Sequence, residues 1–243
     1  KIYENPDELM SISLGSAETT LLKITSAYCS FVNGGKLVNP KLIDRIQDSE
    51  GNTIFKTEDR YCENCKNISF LSDDVPKIKD NFKQIFSPQT AYQITSILEG
   101  AVQRGTGKKL KSLKVPLAGK TGTTNDNFDA WFIGFTSNLV IGVYIGYDEP
   151  RSLGKYETGS KVALPVFKKF VETALYKEDF EPFKVPEQIY FYPINYDSGE
   201  ISSFSDEKSV LESFKEKNYK NIKLKNLNFG QNYGKSFKFK GFY

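Results

Sequence analysis

Lys120, Thr121, Gly122, Thr123 and Thr124 stand in a row just before the apolar run AWFIGF. If this stretch is a strand, alternate side chains share a face. Thr121 and Thr123 then point one way, Lys120 and Gly122 the other. Two hydroxyls in line are able to donate to a carboxylate or to an acyl carbonyl region. Gly122 has no Cβ, so another backbone can come close. An extended peptide could then add itself to the sheet along this strand. Lys120 would reach beneath that surface and supply positive charge. Hydrogen bonds to charged groups are worth roughly 1.5–3 kcal/mol each, enough to hold a peptide carboxylate. The Thr123 backbone N–H could also serve as one donor of an oxyanion hole, whose loss costs about 100- to 1000-fold in rate. Lys-Thr-Gly alone is common by chance, and threonine beside a solvated lysine is ordinary strand composition. The surrounding elements give the pattern its weight.

The chain has 243 residues and no histidine. No Ser-His-Asp or Cys-His arrangement is possible, and a zinc site needing imidazole is excluded. Acid–base work near neutral pH would fall to a lysine or a carboxylate. Lysine and arginine number 33 against 30 aspartate and glutamate, a net charge of +3. That balance is too mild to argue for nucleic acid. An apolar fraction of 39% and a mean hydropathy of −0.45 describe a globular protein with one sizeable core, plus an appendage at most. No stretch approaches the ~20 apolar residues of a membrane span, and there is no signal peptide. The chain opens on Lys1, as expected of a processed product, an excised domain or a fragment.

The elements that must position the threonines read as follows. Leu21, Ile24, Tyr28, Phe31 and Val32 recur at helical spacing after a Thr19 or Thr20 cap, and Gly34-Gly35 stops that helix. Segments 41–48 and 52–56 read as a hairpin around DSEGN. Residues 57–86 are polar and irregular. Ser87-Pro88 opens a second helix with a buried stripe of Ala91, Ile94, Ile97, Leu98, Ala101 and Val102. Its exit at Arg104–Gly107 is glycine-rich and flexible. Three strands are predicted over 116–124, 129–136 and 139–147, followed by an amphipathic helix over 164–175. Helices flanking antiparallel strands give an α+β class, an antiparallel sheet covered by helices. From about Asp179 the composition changes. Tyr190, Tyr192 and Ile194 suggest a short strand entering a turn at Asp197-Ser198-Gly199, and SVLESFKEK reads as one or two helical turns.

Cys29 lies in the first helical pattern and reads as a small buried hydrophobe. Cys62 and Cys65 form a lone C-x-x-C pair in a polar loop. Half a metal site, a redox pair and a loop disulfide are all conceivable. With no second pair and no histidine, a loop crosslink or a plain exposed pair is favoured over metal. Trp131 could line a cleft, although a lone Trp in an apolar strand is more often core.

K-T-G is one of three boxes, with S-x-x-K and S-x-N, of the penicillin-binding proteins and serine β-lactamases. The strings GKTGTTNDNFDAWFIGFTSNLVIGVYIGYDEP, SLGSAETTLLKITSAYCSFVNGG, SPQTAYQITSILEGAVQRGTG and RSLGKYETGSKVALPVFKKF resemble the class A, bifunctional penicillin-binding proteins. FKVPEQIYFYPINYDSG and VLESFK are similar to the tail of its type 1a members. The resemblance runs from about Leu9 to Lys217. It implies the C-terminal part of a transpeptidase domain with a serine β-lactamase/D,D-peptidase-like fold over 1–178, and a C-terminal tail over 179–243. It implies a D,D-transpeptidase, whose serine attacks the penultimate D-Ala of a peptidoglycan stem peptide, releases the terminal D-Ala and passes the acyl group to a neighbouring amine. β-Lactams trap that serine. By this resemblance Lys120 and Thr123 are catalytic, as charge near the nucleophile and as an oxyanion donor. Thr121, Gly122 and Thr124 are substrate-binding, with Thr121 and Thr123 holding the terminal carboxylate. No metal or cofactor is implied. Lysine as proton acceptor fits the lack of histidine.

The family places S-x-x-K and S-x-N before SLGSAETT, and this chain begins just upstream of that segment. Ser152–Lys155 and Ser205–Lys208 spell S-x-x-K, but after the K-T-G strand and in loop-like contexts, so both are read as coincidences. No S-x-N occurs. The nucleophile is therefore expected outside this chain, and the isolated chain is expected to be inactive. The implied partners are stem peptides, β-lactams and the upstream half of the same protein. The site would face the periplasm or the extracytoplasmic side of the bacterial membrane. Nucleic acid is not expected, and membrane contact only through an anchor absent from this chain. The end KSFKFKGFY is read as a solvated tail. The alternative is a non-catalytic peptidoglycan- or partner-binding module that keeps the K-T-G cleft.

Overall fold

A computed structural model describes residues 2, 9–57, 61, 62, 65, 76, 78, 79, 81–175 and 180–215. In chain order the elements are α1 (Leu21–Val32), β1 (Arg45–Gln47), β2 (Thr53–Lys56), β3 (Tyr61–Cys62), β4 (Ile78–Lys79), α2 (Pro88–Gln103), β5 (Ala118–Thr123), β6 (Ala130–Phe135), β7 (Val140–Ile145), α3 (Ala163–Ala174), β8 (Ile189–Asn195) and β9 (Ser209–Lys215). Short 3-10 turns at Met10–Leu14, Lys108–Leu113 and Asn125–Asn127 link them. The basic tail and the 178/179 boundary lie outside the described residues.

Both caps read from the sequence form. Thr20 Oγ1 accepts from the Lys23 amide at 3.2 Å, and Ser87 Oγ accepts from the Thr90 amide at 3.2 Å, each satisfying an otherwise orphaned helix N–H. α2 buries Ala91, Thr95, Leu98 and Val102. Ile97, expected in that stripe, is 60% exposed. The buried residues follow i, i+4, i+7 and i+11, and Ile97 falls on the flank away from them. Cys29 is half-buried rather than buried. Burial pushes its thiol pKa up, opposed by its backbone hydrogen bond.

β5, β6 and β7 form an antiparallel sheet in that order. Helices cover both faces. Phe132 and Gly134 face α3, where the Phe132 and Phe167 rings meet edge to face at 4.9 Å. A Cβ on Gly134 would lie 2.6 Å from the Phe167 ring, so glycine is what lets α3 sit this close. On the other face Ala118 and Phe135 pack with Leu98 of α2 and Tyr28 of α1. Burying each such aromatic contributes about 1.5–3 kcal/mol.

The segment SVLESFK, expected to be helical, is strand β9. It pairs antiparallel with β8, from Asn195↔Ser209 to Ile189↔Lys215. This hairpin docks on α2. Gln93 Nε2 donates to the Ser213 carbonyl at 2.9 Å, Gln89 Nε2 to the Glu187 carbonyl at 3.0 Å, and Tyr92 meets Phe191 edge to face at 6.1 Å. Cross-strand pairing and this docking override the helix-forming Leu, Glu and Lys of the local sequence. The DSEGN turn forms, with Asp48 Oδ1 accepting from the Glu50 and Asn52 amides, although β1 is only Arg45–Gln47. Within the stretch read as irregular, β3 pairs with β4, and Cys62 and Cys65 are joined by a disulfide.

Candidate active site

Among the described residues β5 is an edge strand, bonded to β6 on one side only. The phase of its ladder decides what the open edge offers. The Thr124 amide donates to the Asp129 carbonyl at 3.1 Å, just beyond the Thr123↔Ala130 pair. Bonded and non-bonded pairs alternate in an antiparallel ladder. Gly122 and Lys120 therefore bond to β6, while the N–H and C=O groups of Thr121 and Thr123 point away from it. Lys120 Nζ donates to the Thr121 carbonyl at 2.8 Å, as that direction requires.

The side chains alternate as the sequence predicts. Thr121 and Thr123 share the face of Phe132, and Lys120 and Gly122 share the face of Ile133 and Trp131. Thr121 Oγ1 lies 3.0 Å from Thr106 Oγ1. One hydroxyl of that pair donates to the other, which leaves one proton for a further acceptor. Thr123 Oγ1 accepts from the Gly159 amide at 3.1 Å, so its own proton is also available. Thr124 closes the turn into β6: its Oγ1 accepts from the Asp129 amide at 2.8 Å. Of the five residues singled out, Lys120, Thr121 and Thr123 thus meet at one open edge. Gly122 lies in the paired ladder beside Trp131, and Thr124 is committed to the turn.

Trp131 is half-buried and packs against Tyr144, with ring centroids 4.6 Å apart and the planes tilted by 56°. Tyr144 donates its hydroxyl to Asp129 Oδ1 at 2.8 Å, which raises the tyrosine pKa, with desolvation adding to it. Neither serine of the two S-x-x-K strings opens a helix. Ser152 Oγ donates to the Asp126 carbonyl at 2.8 Å, and Ser205 pairs with Ser203 on an exposed loop. Thr106 and Gly159 escaped the sequence reading. Their partners lie 15 and 36 residues away, and no local pattern marks such pairs.

A family profile for the penicillin-binding protein transpeptidase domain matches residues 3–172. The chain belongs to that family. Penicillin-binding protein 1A of Rickettsia bellii is 42% identical over 88% of this chain, and that of Rickettsia felis 40% identical over 89%. The chain spans 27% of the length of each. The crystal structure of penicillin-binding protein 1A from Haemophilus influenzae superposes with a TM-score of 0.70 and 31% identity, covering 85% of this chain and 33% of that one. The α+β class and the penicillin-binding transpeptidase assignment both hold.

Proposed function

We propose that this chain forms one wall of a peptidoglycan D,D-transpeptidase site in a bifunctional cell-wall synthase. The other wall, with the nucleophilic serine of S-x-x-K and the S-x-N box, comes from sequence outside this chain. The observation that carries the reading is the outward-facing edge at Thr121 and Thr123 with the Lys120 ammonium beside it. A stem peptide laid along that edge pairs with the outward N–H and C=O groups of Thr121 and Thr123. The Thr123 N–H donates to the carbonyl oxygen as negative charge develops there, which is where a fixed donor lowers the barrier most. The spare protons of the Thr121 and Thr123 hydroxyls bind the terminal carboxylate. Lys120 adds positive charge near the serine. Gly122 brings no side chain against Trp131, where a Cβ would lie 3.1 Å from the Trp131 Cβ, and Thr124 borders the peptide at the strand end.

The site faces the periplasmic or extracytoplasmic side of the membrane, where stem peptides are found. The Cys62–Cys65 disulfide fits such an oxidising compartment. Residues 1–178 belong to the transpeptidase unit, and 179–243 form an appended tail that begins with the β8–β9 hairpin.

The test is covalent labelling of the intact protein with a fluorescent penicillin, followed by mass-spectrometric location of the acylated serine. Labelling upstream of this chain is expected, and none on this chain alone. A stoichiometric acyl adduct on the isolated chain would overturn the divided site. A second reading is a non-catalytic wall- or partner-binding module, which would use the same open edge at Thr121 and Thr123 for peptide capture alone. Absence of S-x-x-K and S-x-N upstream in the same reading frame would establish it.

A further inference from the structure

Gly159 is buried, in the loop that leads from β7 into α3. It is not a glycine because of its dihedral angles, since its φ is not positive. It is one for lack of space. A Cβ there would collide with the carbonyl oxygens of Trp131 and Gly122, the latter at 2.6 Å. The obstacle is backbone on both sides, so no side-chain rotation would relieve it. Only glycine brings this loop flat against the β5–β6 ladder.

That contact does one chemical thing. The Gly159 N–H donates to Thr123 Oγ1 at 3.1 Å. A buried amide needs an acceptor, so the bond is firmly held. On its other side the Gly159 carbonyl accepts from the Leu164 amide at 2.8 Å, and Leu164 is fully buried at the start of α3. The upstream half of the loop is pinned to the turn after β5. The Leu153 amide donates to the Asn127 carbonyl at 2.9 Å, and Ser152 Oγ to the Asp126 carbonyl at 2.8 Å. Thr123 is β-branched and stiff at χ1. With Oγ1 held by Gly159, its proton is turned away from the loop and its own N–H stays on the outward row.

Resting on the transpeptidase reading above, we propose that Gly159 is a positioning residue for that reaction. Its amide fixes the Thr123 side chain and thereby the donor geometry of the strand end. It touches no substrate and acts only through Thr123.

The test is a double-mutant cycle in the intact protein, read as the second-order rate of acylation by a fluorescent penicillin. Gly159→Ala is expected to slow acylation about 100-fold, the scale of a displacement near 1 Å. In a Thr123→Val background the same change is expected to cost at least about tenfold less, because the bond is already gone and only the displacement of the loop from the ladder remains. In a Thr123→Ser background, which keeps the oxygen, the full sensitivity returns. If wild-type protein takes no label, the transpeptidase reading fails and takes this role with it. If wild type labels but Gly159→Ala labels at the wild-type rate, or loses equally in all backgrounds, the positioning role alone is overturned. Should Gly159→Ala not fold, hydrogen exchange of the peptide around Gly159 decides. Faster exchange in Thr123→Val but not in Thr123→Ser supports the bond, and equal exchange in all three sinks it.

Discussion

Thr106 Oγ1 and Thr121 Oγ1 lie 3.0 Å apart, joining the exit of α2 to the edge strand. The glycines on either side of Thr106, Gly105 and Gly107, pack against Ala101 and Val102, so the turn is held to the helix it leaves. Replacing Thr106 by Val removes the partner of the Thr121 hydroxyl. A neutral hydrogen bond of this kind is worth about 0.5–1.5 kcal/mol net. Acylation of the intact protein by penicillin should fall by up to roughly tenfold. Thr106→Ser should stay near the wild-type rate. Equal rates for Val and Ser would place Thr106 outside the site.

Lys120 presents its ammonium to the Thr121 carbonyl, at the edge where a peptide would pair. Lys120→Ala in the intact protein is expected to lower penicillin acylation by at least about 100-fold, as losing a fixed charge donor does. The melting temperature should hardly move, because Lys120 is exposed. Near-normal labelling would remove Lys120 from the mechanism.

The contact between Phe132 and Phe167 ties β6 to α3. Both residues are almost wholly buried, at 1% and 0% exposure. Phe167→Ala should destabilise the fold by about 3–5 kcal/mol, through lost transfer energy and the cavity left behind. Urea unfolding monitored at Trp131 measures it. A loss under about 1 kcal/mol would mean that α3 is not clamped to the sheet.

Asp206 sits in the loop between β8 and β9. The Ser202 hydroxyl at 2.5 Å, the Lys208 amide at 2.9 Å and the Asn195 side-chain amide at 2.9 Å all donate to its carboxylate. These bonds hold its pKa below the ordinary carboxylate value, Ser202 most of all. The sign follows from the depressed folded value. The loop gains its full support above the unfolded carboxylate pKa of about 3.9, and loses it as pH falls through the lower folded value. An NMR titration of Asp206 should show this, and Ser202→Ala should move the midpoint upward. A midpoint at the unfolded value in the wild type would show that the network does not form in solution.

The central sheet was legible because each of its strands carries its own signal. The apolar runs before and after Ser137-Asn138 predict β6 and β7 to within about two residues, and the K-T-G-T stretch predicts β5. The Thr121/Thr123 face follows from strand alternation alone. β9 was not legible, because Val210, Leu211, Glu212 and Phe214 satisfy a helical pattern as well as a strand. Only pairing with β8 settles the choice. Ile97 was misplaced for a related reason: an apolar residue on a helix does not declare which side its neighbours will occupy. Thr106 and Gly159 contribute through folded proximity, and composition carries no trace of that.

The alternation of β5 has a consequence for length. Its outward row runs through Gly119, Thr121 and Thr123, but Gly119 is buried, so the open rungs are Thr121 and Thr123, two residues apart, and the Thr124–Asp129 turn ends the row. Successive rungs on one edge are separated by about 6.6–6.8 Å. A chain laid here finds room for little more than one such interval before it meets the turn and the loop that holds Gly159. The strand works as a short ruler with a stop at one end. On the proposed transpeptidase function, it would measure how far a terminal group lies from the bond beside it, whatever the side chains in between.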